Sequence, residues 1–224
     1  SIESITIPNS ITRIGKYAFS GCTSLKNIII PDSVEEIDEG AFRYCSSITD
    51  IKIPTSVKTF GYKIFERCSS LESIIIPDVI EIIGKHVLFG KTILNGIELP
   101  ESIKRLNNNS FIPNEINTIN IPTGITKIGE CAFYKCSMLM NIIIPNSVTE
   151  IDCFAFSFCS SLTKIIIPNS VKFIGDNAFQ FCSSLIDVTL SNKLTQLIHN
   201  IFLYCKSIES ITIPNSITRI GKYA

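Results

Sequence analysis

The stretch Cys159–Phe179 reads CSSLTKIIIPNSVKFIGDNAF, and the rest of the chain repeats it with variations. Its proline recurs every 23 residues, except for one interval of 22 residues and one repeat that carries serine instead. The recurring positions are Pro8, Pro31, Pro54, Pro77, Pro100, Pro122, Pro145, Pro168, Ser191 and Pro214. A fixed period of this length is typical of a solenoid, in which each repeat forms one coil that stacks on its neighbours.

The apolar residues of each repeat occupy fixed positions when the proline is numbered 0. They fill −6, −3, −1, +3, +6, +10 and +11. The alternation at −3 and −1 predicts a short strand that the proline ends, since proline cannot donate to a strand ladder. Positions +3 and +6 predict a second extended segment. Gly or Asp at +7 then predicts a tight turn into one or two helical turns, formed by the Ala-Phe-x-x-Cys run with Ala, Phe and Cys facing the core.

The pattern L-x-x-I-x-I-P-x-S-V-x-x-I-G-x-x-A-F-x-x-C resembles the BspA-like leucine-rich repeat, a family of bacterial and protist proteins. The resemblance covers all 224 residues. It implies an α/β repeat solenoid, a leucine-rich-repeat horseshoe with a parallel concave β-sheet and short helices or turns on the other side. It also implies display at the cell surface or secretion, with a role in adhesion or protein recognition.

The domain expectation is a single solenoid over residues 1–224, with nine full periods and a partial tenth. The repeats are irregular over residues 77–121, where Leu88 replaces phenylalanine, Lys91 and Asn114 replace cysteine, and one residue is missing. The chain opens and stops within a repeat, so we expect it to be a fragment of a longer array.

Composition excludes several classes of partner. Twenty basic residues balance twenty acidic ones, so charge favours neither nucleic acid nor an anionic membrane. No apolar run approaches the roughly 20 residues that span a bilayer. We therefore expect protein partners, no nucleic acid and no membrane insertion within this stretch.

Seven cysteines share position +14: Cys22, Cys45, Cys68, Cys136, Cys159, Cys182 and Cys205. A single-file column does not converge on a metal ion, and parallel side chains do not present facing sulfurs for disulfides. This column therefore predicts a ladder of buried, reduced thiols. Cys131 and Cys153 lie off the column, at +9 and +8 of adjacent repeats. The sequence leaves open whether a disulfide bond joins them.

No constellation of catalytic residues emerges. The two histidines, His86 and His199, lie in distant repeats, and every recurring glycine is a lone turn residue rather than part of a phosphate-binding loop. We expect no enzyme activity, no catalytic or metal site and no cofactor.

The informative residues are those that the strands turn away from the core, at −2 and −4. Position −2 holds isoleucine in several repeats although core packing does not require it there. Two explanations of these isoleucines stand side by side. One is strand propensity in an isoleucine-rich chain. The other is an apolar contact patch, because exposed apolar patches mark binding sites. The candidate partner-binding residues are Ile143, Ile166, Met140, Lys164, Asn120 and Thr189. The expected function is protein recognition in adhesion through the concave sheet. The alternative is an intracellular adaptor or regulatory scaffold, such as a phosphatase or signalling-complex subunit. A cytoplasmic location therefore stays open.

Residues 207–224 repeat residues 1–18 without a difference. A recent duplication explains this identity. Head-to-tail self-association through uncapped ends is the functional interpretation, since solenoids need polar caps at their ends.

Overall fold

The computed structural model describes residues 2–77 and 117–224, with the backbone alone at 59–60 and at the short strands 82–83, 97–98 and 105–106 between those ranges. Each repeat that lies within the described ranges forms one coil. We name the coils by their residues: coil 1 (1–23), coil 2 (24–46), coil 3 (47–69), coil 6 (115–137), coil 7 (138–160), coil 8 (161–183), coil 9 (184–206) and coil 10 (207–224).

Two short strands alternate along the coils. In chain order they are β1 (Ser4–Thr6), β2 (Arg13–Ile14), β3 (Asn27–Ile29), β4 (Glu36–Ile37), β5 (Asp50–Lys52), β6 (Thr59–Phe60), β7 (Ser73–Ile75), β8 (Ile82–Ile83), β9 (Ile97–Glu98), β10 (Arg105–Leu106), β11 (Thr118–Asn120), β12 (Lys127–Ile128), β13 (Asn141–Ile143), β14 (Glu150–Ile151), β15 (Lys164–Ile166), β16 (Phe173–Ile174), β17 (Asp187–Thr189), β18 (Gln196–Leu197) and β19 (Arg219–Ile220). The strand before the proline position and the strand after it lie on two different sides of the coil.

All described strand pairs are parallel and join equivalent positions of successive coils. On the first side, the paired runs are β1-β3, β5-β7, β9-β11-β13 and β15-β17. On the second side, they are β2-β4-β6, β8-β10-β12-β14-β16 and β18-β19. The register aligns Ile5 with Ile28 and Ile14 with Ile37, so each apolar position of the repeat forms a column along the stack.

The proline closes a turn between the two strands. In coil 8 the amide of Val171 donates to the carbonyl of Pro168 at 3.0 Å, and the equivalent bond recurs in the other described coils. Ser191 replaces proline in coil 9 and is fully buried. Its hydroxyl donates to the Val171 carbonyl at 2.7 Å and accepts from the Lys193 amide at 3.1 Å. A hydroxyl that is satisfied in this way can replace the proline without leaving a buried polar group unpaired.

The expected short helices are wrong: no helix occurs in the ranges that the structure describes. The Ala-Phe-x-x-Cys run forms consecutive turns instead, because a residue at +9 and another at +13 adopt positive φ in coils 1 to 3 and 6 to 9, as does the +9 residue of coil 10. A left-handed residue every fourth position interrupts a right-handed helix. These residues are Tyr17, Gly21, Gly40, Tyr44, Lys63, Arg67, Cys131, Lys135, Phe154, Phe158, Asn177, Phe181, Asn200, Tyr204 and Tyr223.

This third side has its own ladder. The amides of Phe154, Phe156 and Phe158 donate to carbonyls of coil 8 at 2.8–3.0 Å, while the amides between them close turns within coil 7. Alternate amides therefore bind the next coil, as they do in a parallel sheet. The fold is a solenoid with hydrogen bonds between coils on all three sides.

Phenylalanines at +11 fill the centre of the stack, as the sequence predicts. Phe156 is fully buried, and its ring centroid lies 5.1 Å from Phe133 and 5.2 Å from Phe179, with the ring planes within 6°. Phe19 and Phe202, near the two ends of the described stack, are only partly buried. Phe111, the member of this column in the irregular stretch, lies outside the described residues.

All nine cysteines are free. The thiol at +14 donates to the carbonyl of the +11 phenylalanine in the preceding coil, for example from Cys68 to Phe42 at 3.1 Å and from Cys182 to Phe156 at 3.2 Å. Burial raises the pKa of the Cys45 thiol from 9.0 to about 12 and holds the pKa of Cys159 well above 9.0. The buried thiols of the column are therefore neutral, whereas a hydrogen bond with Cys182 lowers the pKa of Cys205 near the end of the column.

Most of the irregular stretch 77–121, including Leu88, Lys91 and Asn114, lies outside the described residues. Its short strands still pair in parallel: β10 joins β8 within the stretch and β12 of coil 6, and β9 joins β11 of coil 6. Within the described part of the chain, no helix is long and apolar enough to cross a membrane.

Candidate functional site

The side of each coil that carries the three-residue strands presents its −2 and −4 residues to solvent. The burial pattern of these strands alternates, with the middle residue inward and its two neighbours outward. Isoleucine at −2 is therefore exposed, by 77% at Ile143 and 52% at Ile166. Exposed isoleucine in neighbouring coils makes this part of the sheet face an apolar surface.

Ile143 and Ile166 lie on β13 and β15, in adjacent coils. They line a shallow groove of about 770 Å³ on this face. The groove extends from the strands to the turns that follow them, where Pro145, Pro168 and their neighbouring asparagines form its other edge. An apolar groove edged by amides is suited to polypeptide, which offers both apolar side chains and hydrogen-bonding groups.

The structure brings most of the predicted contact residues together. Asn120 pairs in register with Ile143, and Thr189 pairs with Ile166, so the four form one row across coils 6 to 9. Lys164 and Thr189 line the same groove as the two isoleucines. Met140 lies one residue before β13 and is 45% exposed, but it is not among the residues that line the groove.

Lys164 is engaged by a neighbour on the same surface. Its ammonium lies 2.7 Å from a carboxylate oxygen of Asp187, and both side chains are about half exposed. The two residues occupy the −4 row in adjacent coils and align in register. Because this ion pair neutralises both charges, the groove carries no net charge from these two residues.

Sequence reasoning missed the asparagines at position +1. Asn146 and Asn169 line the same groove as the isoleucines. The asparagines are visible in the sequence as the P-N-S triplets of coils 7 and 8. The triplets alone do not show that these turns line the same groove as the −2 row. In coil 9 the amide of Asn192 donates to the side-chain oxygen of Asn169 at 2.9 Å, which fixes one edge of the groove.

Ile29 provides a comparison within the same molecule. It is as exposed as Ile143, at 77%, but its −2 neighbours are Thr6 and Lys52 instead of a second isoleucine. The smaller groove beside it, of about 540 Å³, is lined by Lys52 and Asp32 as well as by apolar residues. Isolated exposed isoleucines therefore occur at Ile29 and at Ile75, which is 59% exposed beside Lys52, whereas within the described residues two adjacent ones occur at coils 7 and 8.

The turn side carries a second aromatic column that the sequence analysis did not identify. Phe158, Phe181 and Tyr204 occupy +13 in coils 7 to 9 and stack at centroid distances of 4.4 and 4.5 Å. Tyr134 meets the end of this stack edge-on at 5.5 Å. Because the ring faces cover one another, this column contributes to stacking between coils and leaves little open ring surface for a ligand.

The described residues contain no group of three or more His, Cys, Asp or Glu side chains arranged to hold a metal ion. The Nδ1 atom of His199 lies 3.4 Å from Asp176, and both side chains are about half exposed on the surface. His86 lies outside the described residues. Cys131 and Cys153, for which the sequence left a disulfide bond open, form no disulfide, and both are half-buried.

Three solved structures are similar to the chain over 98% of its length. A leucine-rich cell surface protein from Faecalibacterium prausnitzii is 27% identical, with a TM-score of 0.53 and 69% of its chain covered. A leucine-rich repeat protein from Bacteroides ovatus is also 27% identical, with a TM-score of 0.55 and 75% covered. A leucine-rich repeat protein from Eubacterium ventriosum, at 19% identity, a TM-score of 0.58 and 81% covered, supports the fold alone.

Comparison with the curated proteins found no match. The family model described as the BspA-type leucine-rich repeat region, in 6 copies, matches residues 1–116 and 108–224. These matches cover the columns of Ile, Pro, Phe and Cys that build the coils. The chain therefore belongs to the BspA-type leucine-rich repeat family.

Proposed function

We propose that residues 1–224 form one solenoid domain that recognises a protein partner through the sheet face of coils 6 to 9. The observation that carries the proposal is the uninterrupted pair of exposed isoleucines, Ile143 and Ile166, in a groove that Asn146 and Asn169 also line and whose charged residue, Lys164, is paired with Asp187. Core packing does not use these side chains, and exposed apolar patches on soluble proteins mark interaction sites. The family is one of repeat proteins, which supports binding as the role and gives no support to an enzyme.

We further propose that this recognition takes place at the cell surface, in adhesion. Two observations support this location: the family to which the chain belongs, and the likeness of the chain to the cell surface protein from Faecalibacterium prausnitzii. The alternative is an intracellular adaptor or scaffold, to which the same groove and the same reduced thiol ladder are equally suited. Antibody staining of intact and permeabilised cells separates the two locations, because only a displayed chain stains on intact cells.

Binding is tested with the chain immobilised on beads and offered proteins extracted from cell surfaces. The partner must be retained by the unmodified chain and lost by the double variant Ile143→Lys and Ile166→Lys. The double variant Ile29→Lys and Ile75→Lys is the matched control, because it adds the same two charges at exposed isoleucines that have no isoleucine beside them in the −2 row. Truncation of central contact residues at interfaces costs on the order of 2 kcal/mol or more each. Equal capture by the double variant and the control, with both folded, would contradict the proposal.

A further inference from the structure

The turn side of the solenoid, formed by positions +8 to +14, is positively charged in coils 1 to 3. Its charged residues there are the basic Lys16, Arg43, Lys63 and Arg67 and the acidic Glu39 and Glu66. In coils 6 to 9, the same positions carry one lysine and two carboxylates, namely Lys135, Glu130 and Asp176. Because the whole chain has no net charge, the excess of positive charge in coils 1 to 3 is a local feature.

A buried carboxylate fixes part of this surface. Glu66 is 2% exposed and is the one charged residue that is buried within the described ranges. Its carboxylate forms an ion pair with Nε of Arg43 in the preceding coil and lies 3.7 Å from the ammonium of Lys63. A buried carboxylate is stable only with such partners. The pair therefore holds the Arg43 guanidinium in one place, beside the Tyr44 hydroxyl, to which it donates at 3.4 Å.

The ring of Tyr44 brings a second arginine to the same place. The guanidinium carbon of Arg43 lies 4.8 Å from the ring centroid, and that of Arg67, in coil 3, lies 5.5 Å from it. Both contacts are cation–π interactions. Arg67 is exposed, and no acidic residue in the described part of the chain forms an ion pair with it. The N–H groups of its planar guanidinium are therefore open to an incoming acceptor.

Glu39, the other acidic residue of this surface, is engaged by coil 1. Its carboxylate accepts a hydrogen bond from the Tyr17 hydroxyl at 2.7 Å and lies 3.3 Å from the ammonium of Lys16. The charges of Glu39 and Lys16 thus offset one another. What remains on coils 2 and 3 is a cationic patch of Arg43, Lys63 and Arg67 over the single carboxylate of Glu66.

We propose that this cationic patch is a second binding surface, which recognises a short acidic segment of a protein. A carboxylate of the segment accepts two parallel N–H bonds from Arg67, the geometry in which guanidinium and carboxylate fit best. Arg43 and Lys63 add attraction from beside it. The two guanidinium groups on Tyr44 repel one another, and an anion bound between them removes that repulsion. The patch lies on a different side of the coils from the isoleucine groove, so this inference does not rest on the function proposed above.

The kind of residue in the patch favours a protein as the ligand. Tyrosine and arginine are the residues that are enriched where proteins bind one another most strongly. A sugar ring is usually bound against an open aromatic face, whereas two guanidinium groups already lie over the ring of Tyr44. A long polyanion would extend beyond coils 2 and 3, onto a turn side where carboxylates outnumber lysine. A short acidic segment matches a patch that is confined to two coils.

Fluorescence anisotropy of a labelled octaglutamate peptide, titrated with the 224-residue chain at low ionic strength, tests the proposal. An octaglutamine peptide measures binding that does not depend on charge. The informative variant is Arg67→Gln, because this side chain is exposed, whereas a change at Arg43 would leave Glu66 buried without its partner. We expect Arg67→Gln to weaken octaglutamate binding about tenfold, the effect of losing one charge-assisted bidentate contact.

Lys135→Gln is the matched control. It also removes a cation that lies over an aromatic ring on the turn side, 5.2 Å from the Tyr134 centroid, but in coil 6 and outside the patch. Octaglutamate should bind this variant as it binds the unmodified chain. The proposal is overturned if octaglutamate binds no tighter than octaglutamine, or if both variants weaken binding equally. It is also overturned if an alginate oligosaccharide of the same charge binds tighter than octaglutamate, since the patch would then be a site for an acidic glycan.

Discussion

The thiol of Cys159 donates to the carbonyl oxygen of Phe133 in the preceding coil at 3.2 Å. The same bond, from +14 to +11, recurs along the described stack. It explains why cysteine is preferred over alanine at +14: the side chain is small enough for the core and still satisfies a carbonyl of the neighbouring coil. Each coil is therefore held to the next through its interior as well as through its ladders.

We expect the thiol ladder to resist alkylation in the folded protein. Cys45, Cys68, Cys136, Cys159 and Cys182 are buried, whereas Cys131 and Cys153 are half-buried on the turn side. Iodoacetamide at neutral pH, followed by peptide mass spectrometry, should label Cys131 and Cys153 well before the five buried residues. In denaturant without reductant, all nine cysteines should react. Protected disulfides in that second sample would contradict the ladder.

Stability should fall at alkaline pH because of the same burial. The pKa of Cys45 is about 12 in the folded protein and 9.0 without burial, so the unfolded chain releases its proton first. The stabilisation is complete below pH 9.0 and is lost as the pH rises from 9.0 toward 12. Urea unfolding across that range should show a shallower loss for Cys45→Ala than for the unmodified chain. Identical slopes would mean that this thiol ionises equally in both states.

Phe156→Ala should lower the free energy of unfolding by about 3–5 kcal/mol, because it leaves a cavity between two stacked rings. Phe202→Ala is the control from the same column, and its partial burial predicts a smaller loss. Denaturant unfolding of both variants gives the comparison. A larger loss at Phe202 than at Phe156 would show that the central rings are not the principal core.

Gly175→Ala and Gly15→Ala test how closely the coils approach, since both occupy position +7. A Cβ at Gly175 would lie 2.3 Å from the backbone nitrogen of Cys153, whereas a Cβ at Gly15 has nothing within 4 Å. The first change should cost about 1–3 kcal/mol through overpacking. The second should stay within about 0.5 kcal/mol. Equal shifts of the melting temperature for the two variants would contradict the explanation that glycine at +7 permits the close approach of neighbouring coils.

The sequence predicted two of the three sides correctly and misassigned the third. The period-two pattern around Ile165 and Ile167 has a single structural interpretation, and the inward and outward rows follow from it. The Ala-Phe-x-x-Cys spacing fits one helical turn as well as a chain of tight turns. Residues with positive φ, such as Tyr17 and Phe158, produce the tight turns instead of a helix. Because they are not glycine, the amino-acid sequence does not indicate this conformation.

The candidate site was predictable in its centre and not at its edges. Ile143 and Ile166 follow from the outward row, whereas the Lys164–Asp187 ion pair was not predicted, although both residues occupy −4 in adjacent coils. The asparagine edge depends on how the proline turn folds beside the strand, which spacing alone does not specify.

The central claim is that the sheet face of coils 6 to 9 binds the partner. Amide hydrogen exchange of the chain, measured with and without the captured partner, tests it most directly because it maps the protected face. We expect the partner to slow amide exchange at β13, at β15 and in the turns that follow them, and to leave the turn-side amides of Phe133, Phe156 and Phe179 unchanged. Added protection confined to the turn side, with the sheet face unaffected, would contradict it.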